Sequence, residues 1–72
     1  MQEQTFINQM KARGYELETA GNGNITATKG DTTVRLVPRA DYIVYISTPI
    51  VTAIIRDATD AETMNIIAAL VG

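Results

Sequence analysis

The period of the sequence changes at Tyr15, and that change constrains the fold more than any other feature. Tyr15, Leu17 and Thr19 alternate with Glu16, Glu18 and Ala20; further on, Ile25, Ala27 and Lys29 alternate with Thr26 and Thr28. A period of two sends successive side chains to opposite faces, the pattern of a half-buried strand. Glycine-bearing breaks at Gly21–Asn24 and Gly30-Asp31 divide these segments. Loops this short join antiparallel neighbours.

The register follows from pattern. A two-residue loop at Gly30-Asp31, with glycine first, favours a type II′ turn. It pairs Ala27 with Val34, Ile25 with Leu36, Thr26 with Arg35 and Thr28 with Thr33. One face is then apolar and the other polar, as a half-buried antiparallel sheet requires. At the first turn a two-residue loop, Asn22-Gly23, would oppose Leu17 to Thr28 and put Leu17 on the polar face. A three-residue loop, Gly21-Asn22-Gly23, opposes Leu17 to Ala27 and Thr19 to Ile25, and is the better fit.

Helices flank the strands. Gln2–Arg13 carries a narrow apolar stripe of Phe6, Ile7 and Met10. Gly14 follows where a helix ending wants a left-handed residue, which places Tyr15 against Met10. Thr59-Asp60-Ala61-Glu62 reads as a capping box that opens a second helix. Met64, Ile67, Ala68 and Val71 form its stripe, with Ile66 and Leu70 beside it. Every residue from Ile66 to Val71 is apolar, so this segment is expected to be buried on more than one side.

Between the hairpins and the last helix, Pro38–Asp41 is a break and Tyr42–Thr48 reads as a strand rich in β-branched and aromatic residues. Ile50–Arg56 reads as a fifth strand because five of its seven residues are β-branched. A helix opening at Pro49 with Thr48 as its cap competes for that segment. The expected architecture is a single small α+β domain over residues 1–72. It has an N-terminal helix, an antiparallel meander of four to five strands, and a C-terminal helix.

No charge occurs from Tyr42 to Ile55. Tyr42, Val44 and Ile46 point one way if extended, and Ile43 and Tyr45 the other; Ile50 and Ile54 likewise oppose Val51 and Ile55. Either one helix covers each face of the sheet, or another molecule covers the second face, since contiguous exposed apolar patches are unusual on monomers. Tyr42, Ile43, Val44, Tyr45, Ile46, Ile50, Val51, Ile54 and Ile55 are therefore the candidate interface. Thr26, Thr28, Thr33 and Arg35 form a candidate polar contact face. A chain of 72 residues buries only roughly 60% of its unfolded surface. Without cysteine it has no disulfide or thiolate site to add stability, which also favours association.

The chemistry of most function classes is missing. There is no Cys and no His, so a standard catalytic triad is impossible and the commonest metal ligand is absent. The carboxylates Asp57, Asp60 and Glu62 read as helix-start chemistry. "GNGN" lacks the Lys-Ser/Thr of a phosphate loop. The net charge of −2 disfavours a phosphate-binding surface. The order helix, strands, helix resembles the layout of the double-stranded-RNA-binding domain, which implies RNA contact. However, the place where that family clusters lysines holds Asp57, Asp60 and Glu62 here. No membrane-spanning stretch and no secretory leader are read, so a cytoplasmic location is expected.

The sequence thus leads to a non-catalytic protein–protein interaction module without cofactor or metal. A small regulator or inhibitor of a host protein, of the kind phages and mobile elements carry, is the first reading. A structural homo-oligomer subunit is the alternative. Single-stranded nucleic-acid binding through Tyr15, Tyr42, Tyr45 and Arg35 is the least favoured.

Overall fold

The computed structural model describes residues 1–71. Helix α1 (Glu3–Ala12) is followed by strands β1 (Glu16–Thr19), β2 (Ile25–Lys29), β3 (Thr32–Val37), β4 (Ile43–Ser47) and β5 (Thr52–Ile55), and by helix α2 (Asp60–Val71). The strands form one antiparallel meander in the order β1-β2-β3-β4-β5. The fold is α+β.

Each boundary has a local cause. Helix α1 stops in a Schellman ending: the Tyr15 amide donates to the Met10 carbonyl at 3.1 Å, and the Gly14 amide to that of Lys11 at 3.0 Å. Gly14 takes the positive φ of 85° that this ending needs. Both hairpins have the register expected from the pattern, with Leu17 opposite Ala27 and Ile25 opposite Leu36. In the first loop Gly23 has φ 92°, the left-handed residue that closes a three-residue loop. In the second only Gly30 has positive φ, as in a type II′ turn. Helix α2 opens in a reciprocal cap. The Glu62 amide donates to the Thr59 hydroxyl at 3.1 Å, and the Thr59 amide to the Glu62 carboxylate at 3.0 Å. The Thr59 amide, and after it the Thr59 hydroxyl, hold the Glu62 carboxyl below its ordinary pKa of 4.5.

Two elements differ from the sequence expectation. Tyr42 lies outside β4, because a 3-10 turn at Pro38–Ala40 is followed by two left-handed residues, Asp41 at φ 55° and Tyr42 at φ 57°. Its hydroxyl reaches the Gln2 side chain at 3.5 Å, and the neighbouring Glu3 carboxylate raises its pKa. The fifth strand is shorter than Ile50–Arg56, and the competing helix at Pro49 does not form. Instead the Thr48 hydroxyl accepts the Val51 amide at 2.9 Å, while the Thr48 amide donates to the Val51 carbonyl at 2.8 Å. Thr48 thus closes a tight β4–β5 turn with Pro49 and Ile50 at its tip.

One core holds the layers together. Phe6 and Met10 of α1 and Met64 and Ile67 of α2 pack with Ile25, Ala27, Val34, Leu36, Val44, Ile46 and Ile55. In the observed register these strand residues share one face. Both helices therefore lie on the same side of the sheet. They run side by side, with Met1, Thr5 and Gln9 beside Ala61, Met64 and Asn65 at one end and Arg13 near Val71 at the other. Helix α1 packs over β1 and β2.

Candidate interaction surface

With both helices on one face, the other face of the sheet has no cover from this chain. Pairing across the strands sets out its rows. Arg35, Tyr45 and Ile54 stand side by side, and Val37 lies opposite Ile43. Thr26 faces Arg35 and Thr28 faces Thr33, with Glu16 and Glu18 beyond them on β1. The open face is polar over β1 and β2; over β4 and β5 it carries Ile43, Tyr45 and Ile54, with exposed Ser47 and Thr52 next to the turn. Arg35 stands on the border, its Nε 3.4 Å from the Thr26 hydroxyl.

The nine candidate interface residues separate by this geometry. Val44, Ile46 and Ile55 are buried under the helices, so they leave the candidate surface and belong to the core. The reason is parity: their neighbours Ile43, Tyr45 and Ile54 point the other way. Tyr42 and Val51 are half-buried and lie outside the strands. Tyr42 packs against the core rather than the open face. Ile43 is half-buried on the open face, Tyr45 and Ile54 are 37% and 49% exposed, and Ile50 at the turn is 91% exposed. The four residues of the candidate polar face all lie on the open face. Thr28 and Arg35 are exposed, and Thr26 and Thr33 half-buried.

Two residues join this surface that the sequence reading did not include. Val37 belongs because it alternates with buried Leu36, a signal present in the sequence. Ile66 of α2 is 37% exposed. The expectation that the apolar run Ile66–Val71 is buried on more than one side does not hold: only Ile67 is buried, and Ile66, Ala68 and Ala69 are exposed. Helical steps of about 100° put Ile66 and Leu70 on the flank of α2 opposite the one that meets α1. Since α1 stands over β1 and β2, that flank lies toward β5. Among the described residues, the exposed large apolar side chains are Tyr45, Ile50, Ile54 and Ile66. All four gather around the β4–β5 side of the molecule.

The remaining clefts hold less. A groove at the far end is lined by Arg13, Tyr15, Lys29, Thr32, Ile67 and Val71. Its lysine is already engaged: Lys29 Nζ donates to the Arg13 carbonyl at 2.9 Å and lies 5.7 Å from the Tyr15 ring centre. Burial raises the Tyr15 hydroxyl above its ordinary pKa, partly opposed by the Arg13 charge, so it stays protonated at neutral pH. Among the described residues, no three Asp or Glu side chains come together as a metal site. Nor is any helix long and apolar enough to cross a membrane.

No protein-family model matches the sequence, and no curated protein or solved structure matches it significantly.

Proposed function

We propose that this chain is a non-catalytic interaction module. It works by laying the open face of its sheet on another protein, as a small regulator or inhibitor does. The observation that carries this reading is the grouping of Tyr45, Ile54 and Ile43 beside Arg35 on a face that neither helix covers. Tyrosine and arginine are among the residue types enriched as anchors of protein interfaces, each joining a large contact area to a hydrogen-bonding group. The apolar half would be the centre of the contact, and the threonines of β2 and β3 its polar rim. A cytoplasmic setting and an origin in a phage or mobile element belong to the same proposal and have only size and charge behind them.

Quantitative capture from host extract on the immobilised protein tests this, with Tyr45→Lys as the comparison. A protein retained by the native sequence and lost with Tyr45→Lys should bind directly once purified. Identical retention profiles for the two baits would remove the open face as a docking site.

A further inference from the structure

The exposed apolar side chains around β5 lie on both sides of the strand. Ile54 and Tyr45 are on the open face, and Ile66 is exposed in the helix layer, on the flank of α2 away from α1. The strand between them is an edge of the sheet. The Thr48 amide donates to the Val51 carbonyl, so Val51 turns its polar groups toward β4. In an antiparallel ladder these groups alternate in direction. Ala53 and Ile55 therefore also turn toward β4, and Thr52 and Ile54 present N–H and C=O to the outside. An edge of this kind is a template for another strand.

We infer that β5 pairs antiparallel with β5 of a second copy of this chain across a two-fold axis, joining two sheets into one of ten strands. Three observations select a second copy. The first is charge. A two-fold axis brings each group near its own duplicate, and Thr52–Ile55 carries no charge, whereas the opposite edge bears Glu16 and Glu18. The second is thickness. A lone strand would cover the backbone edge and set a side chain beside Ile54, but it would leave Ile66 in the helix layer uncovered. An occupant that covers both must carry a sheet and a helix layer at the same spacing, as this chain's own edge does. The third is register. Facing residues must share a side of the sheet, which restricts the axis to a residue rather than a gap between residues. Centred on Ile54, the pairing lets Ile54 exchange both of its outward backbone hydrogen bonds with its duplicate. Ala53 then faces the partner copy's Ile55 on the core side, small against large. The row Arg35, Tyr45, Ile54 continues into its copy, doubling the open face.

This inference rests on the reading of the chain as a protein-contact module, but it fails separately from it. Sedimentation equilibrium of the purified chain should give the mass of a dimer. Ile54→Lys, which puts two like charges at the axis, should give a folded monomer by circular dichroism. Glu18→Lys, on the other edge, should remain a dimer. The chain has no cysteine, so a single introduced one reports the register. Residues paired at the axis have Cα atoms about 5.5 Å apart, within the reach of a disulfide. The two copies of residue 52 would be separated by roughly 14 Å, four residues of strand rise. Ile54→Cys should therefore oxidise readily to a linked dimer and Thr52→Cys should not. A monomer at the highest attainable concentration overturns the pairing, and equal linking at both positions overturns the register. If the monomer still captures a partner in a Tyr45-dependent way, the dimer alone has failed; a dimer with no captured partner leaves the pairing standing and removes the docking reading.

Discussion

β1 and β5 are the two edges of one sheet, each four residues long, and only β1 carries charge. On β1 the open face carries Glu16 and Glu18, which repel another strand and keep water at the edge. On β5 the same face carries Ile54, and neither Thr52, Ala53 nor Ile55 is charged. The helix layer repeats the contrast. α1 covers the β1 side with a polar outer surface, whereas α2 turns Ile66 toward the β5 side. The two edges differ in side-chain chemistry on the free face and not in strand length or pairing.

The largest effects should come where the two halves are alike. Val44→Lys and Ala27→Lys each place a charge in the shared core, at a cost of several kcal/mol. That is most of the roughly 3–5 kcal/mol that a core this small supplies. Both variants should lose the folded circular dichroism signal. Ile43→Lys and Tyr45→Lys, one residue away on the open face, should stay folded. If these two also unfold, the open face is covered in the native protein, and the contrast between the faces is wrong.

The turns come next. Gly23→Val, at φ 92° with open space around a new Cβ, should cost about 1–3 kcal/mol from backbone strain alone. Asn22→Ala beside it removes only an exposed bond to the Asn24 amide and should cost under about 1 kcal/mol. At the other end Thr48→Val removes the hydroxyl that receives the Val51 amide, worth about 1 kcal/mol. Urea midpoints would rank the three. Equal, near-zero shifts at Gly23 and Asn22 would mean that the first loop is wrong.

A smaller effect concerns the helix over β5. Thr59→Ala should cost about 1 kcal/mol through its lost cap. Glu62 adds a pH dependence whose sign follows from its lowered pKa. Its contribution is complete above the unfolded value near 4.5 and disappears as pH falls through the lower native value. Melting curves of Glu62→Gln should therefore converge with those of the native chain in acid and lie below them at neutral pH. A constant gap across that range would show that the carboxylate charge is not what the cap uses. Smallest in stability is Glu18→Ile, expected to shift it by no more than about 0.5 kcal/mol. By light scattering it should nonetheless create a second associating edge and species larger than a dimer. No change in size would show that charge is not what closes β1.

Much of this was legible in the sequence because its causes are local. The Gly14 ending, the Thr59–Glu62 cap and the two glycine turns each lie within a few residues, and alternation then determines which strand residues share a face. That is why the register from Leu17 to Leu36 could be read directly. The β4–β5 turn was ambiguous for an equally physical reason. Thr48 followed by Pro49 opens a helix or closes a hairpin with the same hydroxyl-to-amide bonds, and only the availability of β4 as a pairing partner selects the hairpin. The backbone at Asp41 and Tyr42 was hidden as well: aspartate tolerates a left-handed conformation without requiring it, and tyrosine disfavours it.

The candidate surface divides along the same line. The sequence by itself determined that Val44 and Tyr45 point opposite ways, that Tyr42–Ile55 is apolar on both faces when extended, and that histidine and cysteine are absent. It could not say which of the two faces would be covered. That choice depends on which side of the sheet α2 crosses after β5, a contact between elements far apart in the chain and one that alternation treats as equivalent on either face. The tertiary structure decided it by bringing Met64 and Ile67 into the same core as Phe6 and Met10. Once both helices share that core, Val44, Ile46 and Ile55 are interior, and Tyr45 and Ile54 are left facing out.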